Sequence, residues 1–250
     1  MASSKLSLIA LGAGAYVAFA LTTFPASVAA RWFAPQTLGL AGVQGTVWRG
    51  SAAYGSFSGY TFSDVRWQLQ PTALLTGRLS LSLDARLGDG FVRTGMTVAG
   101  SRVGFSELRA ALDVALVSPM LPAEASGNAS VELETLELED GWPVQASGTV
   151  RVANLTSAPW IPVPGVTNFR VGNFLARVST TDDQVVALLS DEGGPIELDG
   201  TARLMPERRY RLEARIKPRP DASDVLVQGL KFMTPVDSSG YYPVERAGQL

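Results

Sequence analysis

From residue 60 onward, apolar and polar side chains take turns with a period of two, the pattern of strands that bury one face. Leu79, Leu81, Leu83, Ala85 and Leu87 alternate with Ser80, Ser82, Asp84 and Arg86, the clearest half-buried strand in the chain. Val131, Leu133, Leu136 and Leu138 alternate with glutamates at 132, 134, 137 and 139, and Tyr210, Leu212, Ala214 and Ile216 alternate with charges. Val65, Trp67 and Leu69 share a face, but Tyr60 and Phe62 are out of phase with them, so a bulge or a strand break is expected near Asp64. Residues 71–77 interrupt the pattern for about one helical turn.

Glycine-containing links separate the runs. Gly88-Asp89-Gly90 and Asp140-Gly141 read as turns between antiparallel strands, and residues 179–183 as a polar turn between two more. Leu108, Ala110, Leu112, Val114 and Leu116 fit both a strand and a helix, and the neighbouring strands favour strand. Residues 224–233 form the one late helical pattern, with Val227, Leu230 and Met233 together and Pro235 closing it. The expected fold is mainly β: a curved, largely antiparallel sheet of meandering strands over residues 31–250, preceded by a membrane helix. Two similar halves with a boundary near residues 119–128 are left open, and prolines make residues 159–165 a stiff connector.

Residues 6–24 carry no charge, with Lys5 on one side and Arg31 on the other. At about 1.5 Å per residue, these 19 residues approach the thickness of a bilayer core. A retained anchor is the favoured reading, with residues 1–30 as cytoplasmic tail and transmembrane segment. A cleaved signal is the rival, because Val28-Ala29-Ala30 offers small residues at a cleavage position. Either outcome exports the remainder.

Composition narrows the function. A net charge of −2 leaves nothing global to neutralise phosphates, so nucleic acid is not an expected partner. Charge is uneven, however: residues 107–140 hold eight acidic residues against Arg109, whereas residues 203–219 hold seven basic ones. Arg208, Arg209, Arg211, Arg215 and Lys217 form the candidate partner surface. Trp67, Leu79, Leu81, Leu83, Leu133 and Leu136 form the candidate core or groove, with Trp67 its firmest core member. Trp48, Trp142 and Trp160 read as core or edge packing.

The chain has no histidine and no cysteine, which removes the residues behind most acyl-transfer triads, thiolate nucleophiles and the usual zinc sites. The glutamates of residues 132–139 read as a solvated face, and Asp182-Asp183 and Asp191-Glu192 lack a calcium-loop pattern. No catalytic residue, metal or cofactor is expected, and the chain reads as a non-enzyme.

The segments Gly45-Thr46-Val47-Trp48-Arg49-Gly50, Val65-Arg66-Trp67-Gln68-Leu69-Gln70-Pro71 and Leu74-Leu75-Thr76-Gly77-Arg78-Leu79 occur in order. Asp140-Gly141-Trp142-Pro143, Gly148-Thr149-Val150 and a closing run with Asp237, Gly240, Tyr241 and Gly248 follow. In combination, after one apolar amino-terminal stretch, they resemble the protein N family of the bacterial type II secretion system. Departures fall at Met233-Thr234 and Gly240-Tyr241-Tyr242, within the terminal motif. The resemblance implies a single-pass inner-membrane protein with a periplasmic carboxy-terminal domain, an accessory of the machine that exports folded proteins through the outer membrane. It also implies other inner-membrane and periplasmic secretion components as partners. An alternative of another class is a periplasmic lipid-handling protein whose apolar sheet forms a groove; an open face at the candidate leucines would favour it.

Overall fold

The alternating runs fold as antiparallel strands in the computed structural model, which describes residues 11–12, 14–16, 19–20, 22–33, 37–57, 59–116, 124–159 and 166–249. The chain divides into two compact units, Met1–Gly88 and Asp89–Leu250. The boundary expected near residues 119–128 falls within the second unit and partly outside the described residues. Among the described residues no helix is long and apolar enough to cross a membrane. Of the expected anchor, residues 6–10, 13, 17, 18 and 21 lie outside the described residues, as do residues 160–165 of the proline-rich connector.

The first unit contains helix α1 (Ala26–Phe33) and strands β1 (Leu38–Ala41), β2 (Gln44–Gly45), β3 (Arg49–Phe57), β4 (Tyr60–Leu69) and β5 (Leu79–Leu87). Helix α2 (Pro71–Leu74) links β4 to β5 and supplies the helical turn expected there. The strand order is β1-β3-β4-β5, with β2 paired to β3. Asp64 has a φ of 51°, and the β4–β5 register slips between Ser63 and Arg66. This bulge accounts for the change of apolar phase. Two residues on β4 oppose one on β5, so Val65 and Phe62 both turn to the cluster of Ala52, Val65 and Ala85.

The second unit is a meander of strands β6 (Gly90–Ala99), β7 (Arg102–Asp113), β8 (Ala125–Glu139), β9 (Trp142–Ser157) and β10 (Phe169–Thr181). It continues through β11 (Gln184–Asp191), β12 (Ile196–Met205), β13 (Arg209–Pro218) and β14 (Tyr242–Gln249), each strand pairing with the next. Asp140-Gly141 and Asp182-Asp183 make two-residue turns with positive φ at both central residues. Glu107 and Asn154 also take positive φ beside register shifts, at 49° and 54°. The slip between Leu133 and Leu136 is likewise a bulge, which keeps both leucines on one face.

One expectation is corrected. The run at residues 108–116 leaves the sheet after Asp113, whose carboxylate accepts from the Ala115 N–H at 2.8 Å and turns Val114–Leu116 into a 3-10 helix. Helix α3 spans Asp224–Met233, capped by the Ser223 hydroxyl at the Leu226 N–H. It has the expected bounds, buries Leu226 and Leu230, and leaves Val227 half-buried. Leu226 packs against Phe169 and Ile196, with Val171, Phe174, Leu198 and Ile216 around them.

Candidate functional site

Strand β13 presents its charges on one face, as its period of two requires. Arg209, Arg211, Glu213 and Arg215 are exposed, while Tyr210, Leu212, Ala214 and Ile216 between them are half-buried. The cations are not a bare positive patch. Arg211 and Arg203 both reach Glu213, at 3.4 and 3.3 Å, Arg215 meets Asp199 at 3.2 Å, and Arg209 meets Glu207 at 3.7 Å. Arg208 donates to the Asp140 carbonyl at 2.7 Å. The expectation of a basic surface is thereby modified: two acids within the run, and Asp199 across the strand pair, neutralise much of it.

Tyr241 sits under the remaining end of that row. Arg215 lies 5.3 Å and Lys217 5.0 Å from its ring centroid, and its hydroxyl donates to Glu197 at 2.6 Å. That hydrogen bond, then partial burial, pushes the phenol above its ordinary value. Lys217 also donates to the Ser239 carbonyl at 3.4 Å. The result is a charged, mostly paired face suited to salt-sensitive contact with a protein.

The opposite face of the second unit is apolar from strand to strand. One row in register runs Val92, Ala110, Val131, Val150, Ala176, Leu189, Gly200, Ala214 and Val244. Within it only Ala110 is buried, and the rest are half-buried. A sheet with one apolar face normally lays a second layer on it. Here α3 covers the part around Phe169, Ile196, Leu198 and Ile216.

The candidate core and groove residues separate between the two units. Trp67 and Leu83 pack on the cluster of Ala52, Val65 and Ala85, opposite one another in the β4–β5 register. Trp67 is half-buried, not sealed, and its indole N–H donates to the Val47 carbonyl at 3.1 Å. Leu81 is half-buried and Leu79 is 36% exposed. In the second unit Leu133 is buried, opposite Leu108 and Gly148, while Leu136 faces Phe105 and Ala146. Trp142 donates to the Met205 carbonyl at 3.0 Å, an edge-packing role.

The most tightly built polar cluster escapes sequence reading. The Asp191 carboxylate receives the Arg219 guanidinium at 2.7 Å and the N–H groups of Leu198 and Gly193. Arg219 also donates to the carbonyls of Gly194 and Ile196 at 2.8 and 2.9 Å. Burial pushes the Asp191 carboxyl up, but the Leu198 N–H, Arg219 and the Gly193 N–H together outweigh it and hold the group below its ordinary value. The only sequence hint is a carboxylate beside Gly193-Gly194, with an arginine between Pro218 and Pro220. Every group is satisfied by the others, so the cluster clamps the β11–β12 turn to the segment leading into α3.

Among the described residues no three His, Cys, Asp or Glu side chains converge as metal ligands. Residues 36–245 match the family described as Type II secretion system (T2SS), protein N. The chain belongs to this family. It is similar to Type II secretion system protein N of Aeromonas hydrophila, 25% identical over 263 aligned positions that cover 98% of this chain and 99% of that protein. It is equally similar, 25% over 225 positions, to Type II secretion system protein N of Vibrio cholerae serotype O1, with 86% of each covered. No solved structure matches the chain. The protein N match takes in strands of both units, the charged face of β13 and the apolar row alike.

Proposed function

We propose that this chain is a non-enzymatic, inner-membrane-anchored accessory of type II secretion, with its strand-built units in the periplasm. In this role it supports export of folded proteins through the outer membrane by contact with other inner-membrane and periplasmic secretion components. The match to the secretion family over residues 36–245 carries the reading. The absence of histidine and cysteine from the whole sequence supports a role in contact, not chemistry. The uncharged residues 6–24 support the anchor.

The join between that stretch and the first unit supports retention of the anchor over its cleavage. Val47 donates its N–H to the Phe24 carbonyl at 2.9 Å, Pro25 bridges to Thr46, and Ala26 is buried. Cleavage after Ala30 would strip these groups from the unit. The charged face of β13 is the surface offered to a secretion component. Unbiased crosslinking in the native envelope tests the role: secretion components captured through β13 support it, and capture of none counts against it.

A second reading has one observation in its favour, the half-buried apolar row of the second unit. An apolar ligand such as a lipid chain would take up that face at little cost in polar groups. Lipid co-purifying in stoichiometric amount would move the assignment to a lipid-handling protein.

A further inference from the structure

Leu75 is 88% exposed and Leu74 43%, although both sit in a well-built turn. Leu75 and Thr76 donate their N–H groups to the carbonyls of Thr72 and Ala73, Gly77 donates to Leu74, and Arg78 donates back to Ala73. The Thr76 hydroxyl adds a bond to the Ala73 carbonyl at 2.8 Å, and Gly77 supplies the φ of 71° that ends the turn. Two leucines are therefore held out by a closed hydrogen-bonded frame. An apolar pair presented this way marks a contact surface.

The position of the turn indicates what it contacts. Phe24, the last residue of the apolar 6–24 stretch, accepts from the Val47 N–H. Trp48, the next residue, accepts from the Leu69 N–H at 2.8 Å, and α2 starts two residues after Leu69. Two hydrogen-bonded steps, joined by the tight Val47-Trp48 turn between β2 and β3, thus separate the end of the apolar stretch from the base of the leucine turn. Arg49 and Arg78 are exposed at this end of β3 and β5, and the Trp32 ring lies 6.3 Å from that of Phe24. Exposed leucine, arginine and tryptophan together are the composition of a segment at a bilayer interface.

We infer that the Leu74–Leu75 turn is a second membrane contact, placing its leucines at the acyl boundary of the bilayer that holds residues 6–24, with Arg49 and Arg78 at the headgroups. The inference rests on the anchor reading of residues 6–24. It would fix the first unit against the membrane surface at two points instead of leaving it on one tether.

The natural chain has no cysteine, so single labels are clean. Full-length Leu75→Cys, Leu11→Cys and Leu188→Cys variants would each carry an environment-sensitive fluorophore in vesicles of phosphatidylethanolamine and phosphatidylglycerol. Nitroxide lipids then report depth. The expected result is loss of fluorescence and a blue shift at position 75 with shallow nitroxides, and neither change at the exposed Leu188 position of the second unit. Quenching at 11 with position 75 behaving like 188 overturns the contact and leaves the anchor standing. Quenching at 75 without 11 removes the anchor and with it the inference as stated, and quenching at neither overturns both. Shielding of position 75 that arises only on adding secretion components would replace the bilayer with a protein partner and overturn the inference.

Discussion

Trp67 lies across Gly50, its register partner on the neighbouring strand, so closely that a Cβ on residue 50 would collide with Cζ2 of the indole. That Cβ would also stand 2.8 Å from Cε2 and 2.9 Å from the Gln44 carbonyl oxygen. The absence of a side chain at residue 50 leaves room for the ring, whose N–H reaches Val47. Gly50→Ala is expected to destabilise the protein by about 1–3 kcal/mol through overpacking. Trp67→Phe, which removes the N–H and some apolar area, is expected to cost about 1 kcal/mol. Urea midpoints unchanged in both variants would remove this pair from the folding of the first unit.

Asp191 gives a pH signature. Its folded-state pKa lies below the ordinary carboxylate value, so its contribution to stability is present above the unfolded value of about 3.9. That contribution is lost as pH falls through the folded-state pKa. Asp191→Asn should therefore lower the melting temperature at pH 7, and the gap to the natural protein should close as the solution is made more acid. A gap that stays constant with pH would mean that the carboxylate charge contributes nothing through Arg219 and the two N–H groups.

The anchor predicts an intact amino terminus. The protein should stay with the membrane after alkaline extraction, and protease added to spheroplasts should degrade the residues beyond Arg31. Because Ala26 is 2% exposed and Pro25 pairs with Thr46, a mature chain starting at Arg31 should also have a weakened first unit. Recovery of such a chain in the soluble periplasm would end the anchor reading.

Much of the fold was legible because a half-buried strand writes its period into the sequence. Strand β5 and helix α3 have the bounds the pattern predicts, and the phase slips at Asp64 and between Leu133 and Leu136 are bulges. Strand β14 was not legible: Pro243, Arg246 and Gly248 break its apolar alternation, and its place depends on pairing with β13. The Arg219 clamp reaches the Asp191 carboxylate, 28 positions away, and the backbone carbonyls of Gly194 and Ile196, a set that no spacing rule marks. The charged face of β13 was visible as a row of arginines, but the acids that neutralise it reach it through cross-strand register, as Asp199 does opposite Arg215.

Reversing Arg209, Arg211 and Arg215 to glutamate should leave the far-ultraviolet spectrum of antiparallel strands intact, since these side chains point away from the apolar face. It sets new carboxylates beside Glu207, Glu213 and Asp199, and exposed pairs of this kind contribute little individually. Crosslinking to secretion components should weaken. Undiminished crosslinking with a native spectrum would place the partner surface elsewhere.

The secretion role is tested most directly by deleting the protein and measuring secreted cargo in the medium and the periplasm together with crosslinked secretion complexes. The expected result is cargo retained in the periplasm, or crosslinked complexes lost, with restoration by the full-length chain. Unchanged cargo export together with unchanged complexes would contradict a role in type II secretion.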